Sequence, residues 1–263
     1  MKYFFSVKRI APILIILSLL FSCKPKEEIV YYQNIDGLSS TAKSKSYEIK
    51  IQPDDLLMIV VSSDDPETAI PFNLTTVSVP SVNGSSINSR GQEVMQSYLV
   101  NVDGNIDFPV LGKLKVGGLS RSEVLQLLHD KISKYIKNPV INLRLMNFKV
   151  SVQGEVTMPG TYNVNSERIT LIEALSMAKD LTIYGKRDNV LIIREVDGVK
   201  SYNRVDLTKA DFIDSPFYYL SQNDVVYVEP NKVRINGGAV GANSGILISI
   251  TSLVITLITL IVQ

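Results

Sequence analysis

Several residue types on which enzymes commonly depend are almost absent from this sequence. Its 263 residues include one histidine, one cysteine and no tryptophan. The histidine, His129, lies in a predicted helix beside Leu128 and Asp130, where a boundary residue is more common than a catalytic base. We therefore expect no Cys–His pair, no Ser–His–Asp triad, no His-based metal site and no cofactor.

An excess of charge is absent as well. The chain carries 27 lysines and arginines against 26 acidic residues, which gives a formal net charge of +1. This balance gives no electrostatic reason to expect nucleic acid as a partner. The acidic pairs Asp54-Asp55 and Asp64-Asp65 lie in predicted turns, where aspartate accepts hydrogen bonds from backbone N–H groups. Two carboxylates brought together by folding would suffice for a glycosidase, so a periplasmic glycan-processing enzyme stays an alternative.

The amino-terminal residues have the pattern of a secretion signal. Lys2, Lys8 and Arg9 precede an apolar run at 10–21. That run is shorter than the roughly 20 apolar residues that a transmembrane helix needs. Residues 1–22 are therefore predicted to be a signal peptide.

The only cysteine follows this apolar run directly. Cys23 comes after the small residue Ser22, and this placement resembles a bacterial lipobox, which implies a lipid on Cys23. The alternative is a plain signal peptide with an incidental cysteine. Residues 23–46, rich in lysine, serine and glutamate, are predicted to form the lipidated N-terminus and a solvated tether.

Sequence patterns in the middle of the chain predict ordered structure from Tyr47 onward. Two capping boxes indicate the starts of two helices, Ser120 with Glu123 and Thr170 with Glu173. Glycine and proline turns repeat at the same spacing as the boxes. We predict an α+β fold with two tandem small α/β units, each with a helix packed across a short mixed sheet. Coincidence between two domains with similar turns is the alternative.

Three stretches together resemble the outer-membrane polysaccharide export proteins, the Wza-type lipoproteins. They are "YEIKIQPDDLLMIVV", "YLVNVDGNIDFPVLGKLKVGGLSRSEV", and "VSVQGEVTMPGTYNV" with "TLIEALSMAKDLT". The last pair resembles the SLBB domain, a β-grasp fold. The chain departs from the family pattern at Pro53-Asp54-Asp55, where Gly-Asp is usual, and at Ala178-Lys179-Asp180, where Ala-Gly-Gly is frequent. The resemblance implies a polysaccharide export domain at 47–147 and an SLBB domain at 148–231. The glycine-rich stretch that follows predicts a hinge at 232–244.

The same resemblance implies a function. Members of the family form homo-oligomeric rings that carry capsular polysaccharide or exopolysaccharide across the outer membrane, without catalysis. It implies an inner-membrane co-polymerase partner, often linked to a tyrosine kinase, and a lipid-anchored outer-membrane protein whose body is mainly periplasmic. The alternative is a monomeric lipoprotein whose SLBB domain binds a glycan or a protein.

The carboxyl-terminal residues 245–263 contain no charged side chain. As a helix they would be roughly 27 Å long, and we expect a C-terminal transmembrane helix. Small hydroxyl residues recur every three or four positions and predict a seam along one helix face. The family resemblance implies that this seam lines an outer-membrane pore. Leu247, Val254 and Ile261 would then lie on the opposite face of the helix, toward lipid. The alternative is a tail anchor whose hydroxyl groups pack one helix on another. The predicted pore-lining residues are Ser249, Ser252, Thr256 and Thr259.

Overall fold

The computed structural model of the protein describes residues 29–37, 48–78, 92–196, 198–240 and 244–262. Side chains in the last two helices are described only for 232–237, 245–246 and 249–256. We call residues 48–147 the first domain and residues 148–231 the second domain. Each has its own apolar core of buried side chains, so the chain folds as two tandem α+β units, as predicted.

The first domain is built around a small antiparallel sheet with the strand order β4-β1-β7. Along the central strand β1, side chains alternate, and Leu57, Ile59 and Val61 are buried, as one covered face of a sheet requires. The prediction of a mixed sheet is wrong here. The helix α2 connects strands of two different sheets, so it produces no parallel pair. In chain order the elements are β1 (Leu56–Ser62), α1 (Pro66–Ala69), a 3-10 turn (Ile70–Phe72), β2 (Thr75–Ser78), β3 (Gln92–Met95), β4 (Tyr98–Leu99), β5 (Asn105–Phe108), β6 (Gly112–Lys115), α2 (Arg121–Ile132) and β7 (Val140–Leu145).

The second domain contains a five-stranded sheet with the strand order β12-β11-β14-β8-β9. Strands β8 and β14 are parallel, and the other neighbours are antiparallel, so this sheet is mixed, as predicted. The helix α3 packs on it through Leu171, Ala174 and Leu175. In chain order the elements are β8 (Lys149–Gly154), β9 (Gly160–Asn163), β10 (Ile169–Thr170), α3 (Leu171–Met177), β11 (Gly185–Val196), β12 (Val199–Val205), a 3-10 turn (Ala210–Asp214), β13 (Tyr219–Leu220) and β14 (Val225–Pro230).

Both predicted capping boxes are present. At the start of α2 the Ser120 backbone N–H donates to Glu123 Oε2 over 2.7 Å, and the Glu123 N–H donates to Ser120 Oγ over 3.3 Å. At the start of α3 the corresponding distances between Thr170 and Glu173 are 2.7 Å and 3.1 Å. These bonds satisfy N–H groups that have no partner inside the helix, and they confirm where the sequence placed the two helix starts.

Part of the predicted tether packs on the second domain. The Tyr31 hydroxyl donates to Asp180 Oδ1 over 2.6 Å, and the Tyr32 ring stacks on Phe212 with centroids 5.5 Å apart. The side-chain oxygen of Asn34 accepts a 2.6 Å hydrogen bond from the Ala210 backbone. Residues 29–37, which include a 3-10 turn at Ile35–Gly37, therefore do not form the solvated tether that was expected. The adjacent side chains of Tyr31 and Tyr32 pack on residues that are distant in the sequence but belong to the second domain.

The carboxyl-terminal residues form two helices, α4 (Lys232–Val240) and α5 (Ser244–Val262). The predicted hinge at 232–244 is therefore helical over most of its length. Among the described residues, no helix has the length and apolarity that crossing a membrane requires. The prediction of a transmembrane helix at 245–263 is thus not confirmed, although residues 245–262 are helical.

The two domains share one kind of turn, which precedes the central strands β1 and β14. In the first domain the Gln52 backbone N–H donates to Asp55 Oδ2 over 2.8 Å. In the second domain the Ser221 N–H donates to Asp224 Oδ2 over the same distance. The residue before each aspartate has a left-handed backbone, with φ of 68° at Asp54 and 64° at the equivalent Asn223. Aspartate and asparagine tolerate this conformation better than other residues with side chains.

The two buried aspartates differ in how their charge is balanced. Asp224 receives hydrogen bonds from the Arg194 guanidinium at 2.6, 3.0 and 3.1 Å. Asp55 has no ion-pair partner among the described residues, and its Oδ1 has no hydrogen-bond partner there. Burial away from water raises the pKa of Asp55 from 3.8 to about 6.

This difference predicts opposite responses to the loss of each charge. The folded protein holds the Asp55 proton at pH values where the unfolded chain has released it. The contribution of the Asp55 carboxyl to the free energy of unfolding therefore falls as pH rises from about 4 to about 6, by on the order of 2–3 kcal/mol. Asp55→Asn keeps an acceptor for Gln52 but has no charge, so this slope should disappear and stability at pH 7.5 should rise. Urea unfolding in mild detergent at a series of pH values measures both.

The matched control is Asp224→Asn. It leaves Arg194 buried without its counter-charge and should lower the free energy of unfolding by about 3–5 kcal/mol near neutral pH. An Asp55→Asn variant with the wild-type slope between pH 4 and 6 would show that the Asp55 carboxylate is not buried in the folded protein.

Candidate functional site

The predicted seam lies on the described helix α5. The Ser249 hydroxyl donates to the carbonyl of Gly245 over 2.8 Å, and the Thr256 hydroxyl donates to the carbonyl of Ser252 over 2.9 Å. These bonds to the preceding turn satisfy the hydroxyl protons inside an apolar helix and leave oxygen lone pairs directed outward. Ser249, Ser252 and Thr256 are all exposed, whereas the side chain of Thr259 lies outside the described residues.

The rest of α5 is apolar, and neither domain covers the part of it that the structure describes. Exposure is 54% at Ile250, 63% at Leu253 and 45% at Val254. A helix with apolar side chains exposed on several sides is normally covered by lipid or by other helices. The single chain therefore leaves this helix available for contacts outside its own two domains.

The candidate acidic residues act mainly as turn and cap residues. Asp65 Oδ1 accepts a hydrogen bond from the Glu67 backbone at the start of α1, and Asp55 has the turn contact given above. Both observations confirm the interpretation of the two acidic pairs as turn residues. His129 is exposed near the end of α2, with Nδ1 4.0 Å from Asp130. In the part of the chain that the structure describes, no three His, Cys, Asp or Glu side chains are grouped closely enough to hold a metal ion.

Sequence reasoning missed a cleft of about 860 Å³ between the two domains. Its apolar floor includes Leu57, Leu143 and Phe148, and its walls carry three arginines, three acidic residues and two serine hydroxyl groups. Both domains contribute side chains, so no local pattern in the sequence could have predicted it. The polar side chains that line it are Glu48, Asp55, Arg121, Ser122, Arg144, Asn165, Ser166, Glu167 and Arg168.

Some of these polar groups are held in place by one another. The Arg121 Nε–H donates to the carbonyl of Leu143 over 3.0 Å, and the same nitrogen lies 3.4 Å from Glu167 Oε1. The Ser122 hydroxyl donates to Glu48 over 2.6 Å, and hydrogen bonds from Ser122 and Ser120 lower the pKa of Glu48. The cleft thus presents fixed donors and acceptors beside an apolar floor, an arrangement suited to binding hydroxyl-rich molecules.

Two family models match consecutive parts of the chain. Residues 43–146 match the family described as polysaccharide biosynthesis/export protein. Residues 148–228 match the SLBB domain. The two matches meet at the junction between the first and second domains.

Curated proteins with similar sequences carry a related name. The chain is 29% identical over 215 residues to EPS I polysaccharide export outer membrane protein EpsA of Ralstonia solanacearum, which covers 79% of this chain and 55% of the relative. It is 30% identical over 217 residues to the protein of the same name from Ralstonia nicotianae, with 80% and 55% covered. The chain spans about half the length of these relatives.

The two domains therefore occur in the order that the sequence motifs predicted, and proteins similar to most of the chain are named for polysaccharide export. The predicted lipidation site, Cys23, lies outside the described residues. Residues 43–228 thus carry the two domains of the Wza-type polysaccharide export family, an export domain followed by an SLBB domain.

Proposed function

We propose that this protein is a structural, non-catalytic component of an outer-membrane translocon that exports capsular polysaccharide or exopolysaccharide. The observation that carries the proposal is the match of both domains, in order, to an export domain and an SLBB domain. Relatives named as export proteins of the outer membrane support the location and the substrate class. An inner-membrane polysaccharide co-polymerase is the partner that would deliver the polymer.

In the proposed assembly, copies of the chain form a homo-oligomeric ring around the export path. The exposed helix α5 supports this arrangement, since its apolar side chains need a cover that the two domains do not supply. In a ring, the apolar positions of α5 face lipid or neighbouring helices, and the hydroxyl seam faces the polymer. Hydroxyl groups without charge suit a transport path, because they exchange hydrogen bonds with a sugar chain without trapping it.

A second candidate function is supported by the cleft between the domains. Its arginines, glutamates and hydroxyl groups could serve a monomeric lipoprotein that binds a glycan or a protein. The two functions differ in whether loss of the protein stops export of a polymer.

Deletion of the gene should abolish surface polysaccharide, and the intact gene should restore it. A shortened chain that ends at Val240 keeps both domains but lacks α5, so it should fail to restore export even when it accumulates normally. Polysaccharide on the cell surface and inside the cell is measured with the same antibody or lectin. Normal surface polysaccharide in the deletion strain would contradict the translocon and favour the binding protein.

The proposed lipid anchor is Cys23, which follows the apolar run of the signal peptide. Cells grown with a radioactive fatty acid should label the wild-type protein but not Cys23→Ser. A large share of the Cys23→Ser protein should also be lost from the outer-membrane fraction. Stable membrane attachment usually needs two signals, and without the lipid only helix α5 would remain. Equal labelling of both proteins would refute the assignment of the lipid to Cys23.

The seam makes a prediction at single residues. Cysteines placed one at a time at Ser249, Ser252, Thr256 and Thr259 should react with a membrane-impermeant thiol reagent in intact cells, because these positions would face water. The matched controls Leu247→Cys, Val254→Cys and Ile261→Cys should react slowly, because they lie on the opposite face. Cys23 stays in place in all variants, since an acylated cysteine does not react. Labelling that does not distinguish the seam positions from the three control positions would support the tail-anchor alternative.

A further inference from the structure

The sheet of the second domain has two distinct ends. The parallel strands β8 and β14 begin near the first domain, where Gln222 Nε2 donates to the carbonyl of Asn147 over 2.8 Å. Both strands then run away from the first domain and end at Gly154 and Pro230. A strand of this length extends about 20 Å. We call the end of the second domain around Gly154 and Pro230 the distal end.

Three segments meet at the distal end and are joined by hydrogen bonds and an ion pair. The Met158 backbone N–H donates to the carbonyl of Ala178 over 2.8 Å, which joins the turn after β8 to the end of α3. The Asn231 N–H donates to the carbonyl of Tyr184 over 2.7 Å. The start of α4 is held there as well, since Arg234 Nε lies 3.6 Å from Glu155 Oε2.

The three segments at the distal end together expose six apolar side chains. Single exposed apolar residues are ordinary on protein surfaces, but a contiguous group of them indicates an interaction surface. Lys179 and Lys232 lie within the same segments and have no ion-pair partner among the described residues. The exposed apolar residues and their exposures are Met158 at 46%, Met177 at 40%, Ile183 at 53%, Tyr184 at 38%, Val233 at 58% and Ile235 at 57%.

Both terminal segments of the chain leave from this end. The amino-terminal segment is fixed here by the hydrogen bond from Tyr31 to Asp180, and the Arg187 guanidinium lies 5.4 Å from the centre of the Tyr31 ring. From Val30 back to Cys23 a fully extended chain reaches at most about 25 Å. The carboxyl-terminal helix α4 also begins here, and the apolar helix α5 follows it.

We infer that the distal end of the second domain is a lipid-contacting surface that lies on the periplasmic leaflet of the outer membrane. The inference rests on the proposed outer-membrane location. Exposed methionine, isoleucine and valine side chains would enter the boundary between headgroups and acyl chains, about 5–10 Å deep. Lys179 and Lys232 would lie at the level of the lipid phosphates. The lipid on Cys23 and helix α5 would then leave the domain directly into the membrane, and the first domain would point into the periplasm.

The absence of tryptophan from the chain permits a direct test with single tryptophan reporters. Full-length Ile183→Trp and Val233→Trp are reconstituted separately into vesicles of phosphatidylethanolamine and phosphatidylglycerol. The acyl chains carry bromine close to the headgroup and quench tryptophan that reaches this depth. The matched control is Val199→Trp, because Val199 is 70% exposed and lies at the opposite end of the sheet, where it pairs with Val196.

The distal reporters should lose most of their tryptophan emission in vesicles with brominated lipid. In vesicles without bromine, they should emit at a shorter wavelength than tryptophan that is exposed to buffer. The Val199→Trp control should show neither change. Reporters at Ile183 and Val233 that behave like the control would overturn the inference. A shift to shorter wavelength without bromine quenching would also overturn it, since another protein surface would then cover the distal end.

The outcome is separable from the proposed function. Quenching is measured in vesicles without polysaccharide, so unquenched reporters would leave the export function standing. Normal surface polysaccharide after gene deletion would remove the export function, whereas quenching of the distal reporters would still show contact with lipid.

Discussion

One asparagine at the junction of the two domains contacts the central turns of both, through its side chain in the first domain and through its backbone carbonyl in the second. Asn147 Oδ1 accepts a 2.9 Å hydrogen bond from the Leu56 backbone, and its Nδ2 donates to the carbonyl of Asp54 over 2.9 Å. Its carbonyl accepts from Gln222, whose Oε1 accepts from the Lys149 backbone over 2.8 Å. Each bond contributes only about 1 kcal/mol, and the bond from Gln222 to the Asn147 carbonyl is the one among them that joins the two domains. The direction of the second domain, and hence of its distal end, depends in part on this bond.

The departures from the family pattern have a common physical basis. Asp54 stands where the family has glycine, and its φ is 68°. Lys179 and Asp180 stand where glycines are frequent, with φ of 56° and 61°. The backbone therefore keeps a conformation that suits glycine, at a cost of about 1–2 kcal/mol per residue with a side chain. At Asp180 the carboxylate offsets part of that cost, because it accepts hydrogen bonds from the Leu181 backbone and from Tyr31.

Features that depend on neighbouring residues could be predicted from the sequence. The capping boxes at Ser120 and Thr170 and the helical conformation of 245–262 each follow from a short pattern. The order of the motifs predicted both the domain order and the family. Such patterns need no knowledge of distant contacts, because the interacting groups lie within one or two helical turns.

Features that depend on distant residues could not be predicted in this way. Tyr31 meets Asp180 149 residues away, and the cleft takes its walls from two domains. No arginine forms an ion pair with Asp55 among the described residues, whereas Asp224 has Arg194 on a neighbouring strand. A pair of adjacent tyrosines in a polar segment was the one signal that could have indicated packing of residues 29–37 on a domain.

The proposed export function depends most on the assembly of this chain into a ring. The mass of the full-length protein, extracted in mild detergent and measured by native mass spectrometry, tests that assembly directly. A ring should give one dominant species whose mass is a fixed multiple of the subunit, which has a mass of 29.2 kDa before any processing. A protein that remains monomeric at all concentrations would contradict the ring and favour a protein that binds its ligand alone.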